Sequence, residues 1–129
     1  MKNKCLIVIA DYYKNISKGL LQSANEVIPK SFTVKIITVP GVFEIPVTIS
    51  KNTKKYDSFL ALGCVIKGKT PHFDFISQAS TDAIMRISVD IKKPIGNGII
   101  TCLNMKQAIL RQKKGREAAQ AVISVLSQS

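Results

Sequence analysis

The run Cys5-Leu6-Ile7-Val8-Ile9-Ala10 is apolar at every position. A strand with one wet face alternates apolar and polar residues, whereas an unbroken run belongs to a strand covered on both faces, the habit of parallel sheets. Asp11 ends the run. It is too short for a signal h-region or a membrane span, so a soluble, cytoplasmic protein is expected. The rest of the chain extends the pattern. Positions 16–28 carry a helical stripe of Ile16, Leu20, Leu21, Ala24, Val27 and Ile28, stopped by Pro29. Positions 32–39 are rich in β-branched residues and read as a second strand. A helix follows at 43–52, with Pro46 tolerated in its first turn. A third strand is expected at 57–66, a helix at 73–89, and a fourth strand at 95–101, weakened by Gly96 and Gly98. Asn104 caps a short helix to about Arg111, and 115–126 forms the last helix. Alternating strands and helices imply right-handed crossovers. The expected fold is α/β: a three-layer αβα, flavodoxin-like arrangement with a four-stranded parallel sheet, one domain over 1–129.

Charge and cysteine content narrow the function classes. The chain has a net charge of +11, which fits nucleic acid, anionic lipid or phosphorylated small molecules as partners. The lysines are scattered, however, and only Arg111, Lys113, Lys114 and Arg116 cluster. There is no helix-turn-helix signal, RNP-like aromatic pattern or long basic tail, so neither nucleic acid nor a membrane is expected as a partner. Cys5, Cys64 and Cys102 each lie in an apolar stretch without a CxxC neighbour, and read as buried thiols. With a single histidine and no cysteine cluster, no metal site is expected.

Ligands of open parallel sheets bind where the strands exit at their carboxyl ends. Asp11-Tyr12-Tyr13 offers rings for stacking on a flat heterocycle, or equally a surface tyrosine pair packed on the adjacent helix. In Val39-Pro40-Gly41-Val42-Phe43-Glu44-Ile45-Pro46, Glu44 falls in a first helical turn, where the macrodipole favours a carboxylate with or without a ligand. A carboxylate there suits a polyhydroxyl chain. Gly68-Lys69-Thr70-Pro71-His72 has the make-up of a generic anion cradle, though not the GxxxxGK[ST] spacing. His72 beside it is a candidate for proton transfer near neutrality, set against the ordinary solvated loop histidine.

These segments resemble the lumazine synthase family. Residues 39–46 are similar to its VPGxFEIP signature. Ala61-Leu62-Gly63-Cys64-Val65-Ile66-Lys67-Gly68-Lys69-Thr70-Pro71-His72-Phe73-Asp74 resembles ALGxVIRGxTxHxD. Pro94-Ile95-Gly96-Asn97-Gly98-Ile99-Ile100-Thr101 resembles PVxFGVLT, and the QAIxR and NKGxEAA segments follow in order at Gln107 and Lys114. The resemblance implies condensation of 5-amino-6-(D-ribitylamino)uracil with 3,4-dihydroxy-2-butanone 4-phosphate, without metal or redox cofactor. It implies stacking on the pyrimidine by Tyr12, ribityl binding by Val42, Phe43 and Glu44, and reading of the pyrimidine edge by Cys64, Val65 and Ile66. Lys69, Thr70 and Arg111 would hold the phosphate, and His72 would transfer protons. Asn97 stands where the family commonly has phenylalanine, exchanging an apolar wall for hydrogen bonds. Tyr12 also replaces phenylalanine but keeps the ring, Lys69 adds a positive charge, and the stretch from Arg111 to Lys114 is shorter than usual.

Assembly follows from coarse topology and resemblance together. Tyr12, Glu44 and Thr70 belong at strand exits. Asn97 lies near the start of its strand and Arg111 near the end of a helix expected to run back, so both are placed at the opposite edge. Asn97 and Arg111 would then serve a neighbouring chain's site, as in the family's homopentamers, with no other protein partner required. The rival readings are a ligand-binding but inactive relative, a nucleic-acid-binding α/β domain, and a flavodoxin-like electron carrier. Against the last stand the chain's want of a Ser/Thr-rich phosphate loop and its positive charge.

Overall fold

The computed structural model describes residues 3–128. Strands β1 (Lys4–Ala10), β2 (Thr33–Val39), β3 (Ser58–Ile66) and β4 (Ile95–Cys102) form one sheet in the order β2-β1-β3-β4. Every neighbouring pair is parallel. This is the expected flavodoxin-like α/β fold.

The alternation along β1 divides the core in two. Cys5, Ile7 and Ile9 face one layer, packed with Ile16, Leu20, Ala118 and Val122 of helices α1 (Lys14–Asn25) and α5 (Lys114–Leu126). Leu6, Val8 and Ala10 face the other, against Ile45 and Ile49 of α2 (Ile45–Ser50) and Ile84 of α3 (His72–Ile91). Each fully buried leucine, isoleucine or valine among these contributes about 1.5–3 kcal/mol of transfer free energy. The unbroken apolar run is thus explained by two covering layers. β2 lies at the sheet margin, where Val34 and Ile36 remain exposed. Cys5, Cys64 and Cys102 are free and buried.

Local departures from the sequence expectations have local causes. Helix α1 stops at Asn25 rather than 28, because Pro29 disfavours helical backbone in the residue before it. Val27 and Ile28 still pack against the core from a turn in which the Val27 N–H donates to the Ala24 carbonyl at 3.2 Å. The segment expected as a helix over 43–52 begins as a 3-10 turn at Val42–Glu44 and becomes α2 only at Ile45. Asn104 does cap α4 (Met105–Leu110), its side chain accepting from the Gln107 N–H at 2.9 Å. The glycines of β4 have a different role from weakening it. A Cβ on Gly96 would fall 2.4 Å from the Ala118 carbonyl oxygen, so its absence lets α5 rest directly on the strand.

Candidate active site

Strand order places the exits of β2, β1 and β3 side by side, and their lengths differ in a useful way. β1 ends at Ala10, one residue past the Ile9–Leu62 pair, whereas β3 continues four residues beyond Leu62 to Ile66. On its other side this extension stays paired, Cys64 with Ile100, Val65 with Thr101 and Ile66 with Cys102. The Lys67 N–H donates towards β4, to the Cys102 carbonyl at 2.9 Å. Successive residues of a strand direct their backbone groups to opposite neighbours, so Cys64 and Ile66 direct theirs to the side β1 has vacated. A strip of unpaired backbone donors and acceptors results, suited to the edge of a planar heterocycle.

A cleft of about 660 Å³ lies against this strip. Its walls bring together Tyr12, Val42, Phe43, Glu44, Cys64, Val65, Ile66 and His72. Tyr12 and Phe43 are 75% and 65% exposed, two large rings with little protein to cover them. The 3-10 turn carrying Phe43 and Glu44 is held close to β3 because residue 63 is glycine. A Cβ there would meet Val42 Cγ2 at 2.8 Å and the Ala10 Cβ at 3.2 Å. The Glu44 N–H donates to the Gly41 carbonyl at 3.1 Å, and the Thr48 hydroxyl donates to the Glu44 carbonyl at 2.8 Å. The Glu44 carboxylate, half-buried at the turn, lies beside Gly41. It can accept hydrogen bonds from hydroxyls placed in the cleft.

His72 is the first residue of α3, exposed, with its backbone N–H donating to the Thr70 hydroxyl oxygen at 3.4 Å. Burial, reinforced by Cys102, pushes the Cys64 thiol up to about 12. Cys64 therefore stays neutral and is unsuited to nucleophilic work at neutral pH. Burial, with Tyr12 and Cys64 nearby, also raises the Tyr13 phenol. Among the described residues, no group of three or more His, Cys, Asp or Glu side chains converges as a metal site would.

Four of the expected residues stand apart from the cleft walls. Lys69 and Thr70 lie exposed in the loop before α3. Asn97 is in the amino half of β4, paired with Ala61, and its side-chain carbonyl accepts the Ile99 N–H at 3.0 Å. Arg111 is not at the amino end of the sheet, which corrects the sequence-based placement. Its guanidinium donates to the Thr101 carbonyl at 3.1 Å, level with Val65. The reason is length: α4 has six residues, about 9 Å at ~1.5 Å per residue, far too short to run back along a strand. Arg111 instead lines a separate cavity of about 430 Å³ beside β4, with Thr101, Leu110, Lys113, Lys114 and Glu117. The separation from the cleft is sideways across the sheet rather than end to end. The last member of the basic cluster, Arg116, approaches Glu26 at 3.9 Å.

The cleft also contains residues for which no role was assigned from sequence. Phe75 and Ile76 complete its walls, beside Tyr13, the second ring of the Asp11-Tyr12-Tyr13 exit. Phe75 is 68% exposed. It lies off the face of α3 that buries Ser80 and Ile84, and an apolar ring off that face is the sequence signal that could have marked it.

Known proteins resemble this chain along nearly its whole length. A family model described as 6,7-dimethyl-8-ribityllumazine synthase matches residues 2–129. The 6,7-dimethyl-8-ribityllumazine synthase of Bartonella bacilliformis is 42% identical over 132 residues, covering 95% of this chain and 87% of the relative. That of Rhodopseudomonas palustris is 40% identical over 136 residues, with 95% and 83% covered. That of Zymomonas mobilis is 39% identical over 132 residues, with 96% and 94% covered.

Proposed function

The chain belongs to the 6,7-dimethyl-8-ribityllumazine synthase family, and from that premise we propose that it catalyses the penultimate step of riboflavin biosynthesis. The reaction joins 5-amino-6-(D-ribitylamino)uracil to 3,4-dihydroxy-2-butanone 4-phosphate. It yields 6,7-dimethyl-8-ribityllumazine, inorganic phosphate and two waters. The observation that carries this reading is the single cleft joining an open backbone strip, an exposed aromatic pair, a carboxylate and an imidazole.

Each feature suits one part of the substrates. The unpaired backbone of Cys64 and Ile66, with Val65 between them, reads the polar edge of the pyrimidine, and Tyr12 stacks on its face. Val42 and Phe43 flank the ribityl chain while Glu44 accepts hydrogen bonds from its hydroxyls. Lys69 and Thr70 at the rim, with Arg111, hold the phosphate, and Asn97 provides a polar wall. The arylamine attacks the ketone and the adduct loses water to an imine. Phosphate then leaves, and ring closure expels the second water. Each step moves a proton, and His72 carries it in this reading, a role worth typically ~10²–10⁴-fold. Most of the remaining acceleration comes from holding two reactants in a productive orientation. The overall condensation transfers no net electrons, so it calls for no redox cofactor.

The distance of Asn97 and Arg111 from the cleft supports a second copy as the other wall. We assign the working unit to a homopentamer with active sites between neighbouring chains, in which β4 and α4 of one face the cleft of the next. The proposed setting is the cytoplasm, because a phosphorylated substrate does not cross a bilayer unaided and three free thiols survive best in a reducing compartment.

Mixing both precursors with the purified protein tests the reading. Fluorescent lumazine and inorganic phosphate should appear in equal amounts, far faster than without protein. Production at the uncatalysed rate would overturn the enzyme assignment and leave a ligand-binding relative.

A further inference from the structure

The exit of β1 contains two tyrosines in different mechanical situations. Backbone on both sides of them is fixed. The Asp11 N–H donates to the Val39 carbonyl at 3.1 Å, the Ser17 N–H donates to the Tyr13 carbonyl at 3.0 Å, and the Ser17 hydroxyl bonds to the Ala10 carbonyl. The Tyr12 side chain, by contrast, projects three-quarters exposed into the cleft mouth. Its one aromatic neighbour among the described residues is Tyr13, at 4.9 Å between ring centroids and 76° between planes. The Tyr13 ring is half-buried and packs against the core on the α1 and α5 side, while also reaching the cleft wall.

An exposed tyrosine samples several χ1 and χ2 states, and a stacking platform works only in those that present its face. An edge-to-face neighbour that is itself anchored restricts this freedom before the ligand arrives. We propose that Tyr13 is a positioning residue for the reaction assigned above, holding Tyr12 in the orientation that stacks on the aminopyrimidine. The inference rests on that functional reading. It assigns the role to the Tyr13 ring and not to its hydroxyl, and it places its effect on binding of one substrate only.

The strength of an edge-to-face pair sets the expected size at about three- to tenfold in affinity. Tyr13→Leu, which keeps apolar contact with the core, should raise KM for the aminopyrimidine by that factor. KM for the butanone phosphate and kcat should change less than twofold. Tyr13→Phe should restore the wild-type KM. In a Tyr12→Leu background, Tyr13→Leu should no longer change the KM for the aminopyrimidine. Tyr13→Met, whose flexible chain fills the same gap, replaces Tyr13→Leu if the latter fails to fold. An unchanged KM in a folded Tyr13 variant would overturn the inference. So would equal losses with Tyr13→Phe, or an undiminished effect without Tyr12. The wild-type protein run alongside separates the two claims: no turnover there sinks the functional reading, whereas normal turnover with an unmoved KM sinks only this inference.

Discussion

Replacing Gly63 with alanine should damage both stability and activity through one contact. The new Cβ would stand 2.8 Å from Val42 Cγ2 and 3.2 Å from the Ala10 Cβ. Carbon atoms pack optimally at about 3.5–4.0 Å, so Val42 must retreat by roughly 1 Å. Ala10 sits in the middle layer and has no room to yield, being buried in β1. Overpacking of this kind costs about 1–3 kcal/mol. Replacing glycine inside a strand returns about 0.5–1 kcal/mol of backbone entropy. A net loss of up to about 2.5 kcal/mol is expected, read as a lower urea midpoint at fixed protein concentration, since assembly couples to unfolding. Val42 begins the turn that carries Phe43 and Glu44, and misplacing binding groups by about 1 Å costs up to ~10²-fold. The specificity constant should therefore fall about ten- to a hundredfold, mainly through KM for the aminopyrimidine. Adding Val42→Ala removes the crowded methyl and should recover part of both losses. A Gly63→Ala enzyme with wild-type kinetics, or a double variant worse than the single one, would refute this reasoning.

His72→Ala should lower kcat by about 10²–10⁴-fold and leave the urea midpoint unchanged within error, because the side chain is exposed; an unaltered kcat would remove His72 from proton transfer. Glu44→Ala and Arg111→Ala proteins, each inactive alone, should regain activity when assembled together, approaching about a quarter of wild type for random pairing of neighbours. No recovery in mixed oligomers verified by mass would refute the shared site. Cys64, pushed up to about 12 by burial from an ordinary value of 9.0, should hold about a thousandfold less thiolate below pH 9 than a free thiol. Alkylation followed by mass spectrometry should be slower to match. A raised folded value also fixes the sign of the linkage. The stability contributed by the neutral thiol is complete below the ordinary value and declines as pH climbs towards 12, so wild type should lose ground to Cys64→Ala over that window. Equal pH profiles would contradict it.

The sheet was legible because its signal is local and strong. Residues 5–10 admit few arrangements other than a doubly covered strand, and strand–helix alternation then dictates parallel pairing. Helix limits were less legible where proline acts at a distance, as Pro29 does on α1. The cleft residues were legible through their place at strand exits and through long motifs. The course of α4 was not. Its apolar spacing gives a helix but not a direction, and only six residues of length decide that Arg111 stays level with Val65. Gly96 misled in another way: glycine in a strand reads as weakness until the helix lying on it is seen.

Given the phosphorylated substrate proposed above, the charge distribution supplies a second argument for partnership. Of the side chains lining the 660 Å³ cleft, Glu44 is the one carboxylate, and neither lysine nor arginine is among them. A cleft so lined suits a neutral heterocycle with a hydroxylated chain, but repels a phosphate dianion, whose burial requires cations or many donors. The cations are nearby but misplaced for one chain. Lys67 and Lys69 lie on the exposed rim, and Arg111, Lys113 and Lys114 line the cavity beside β4. That strand forms a margin of the sheet, its outer side unpaired by any other strand among the described residues. Setting the β4 face of one chain against the cleft of another would bring the missing positive charge to the carboxylate-poor end of the site, near His72, where the phosphate must depart. The same step would cover Tyr12 and Phe43, whose exposure a lone chain does not explain. If a monomeric form proved fully active, both the unbalanced charge of the cleft and its bare aromatic rings would need another cause.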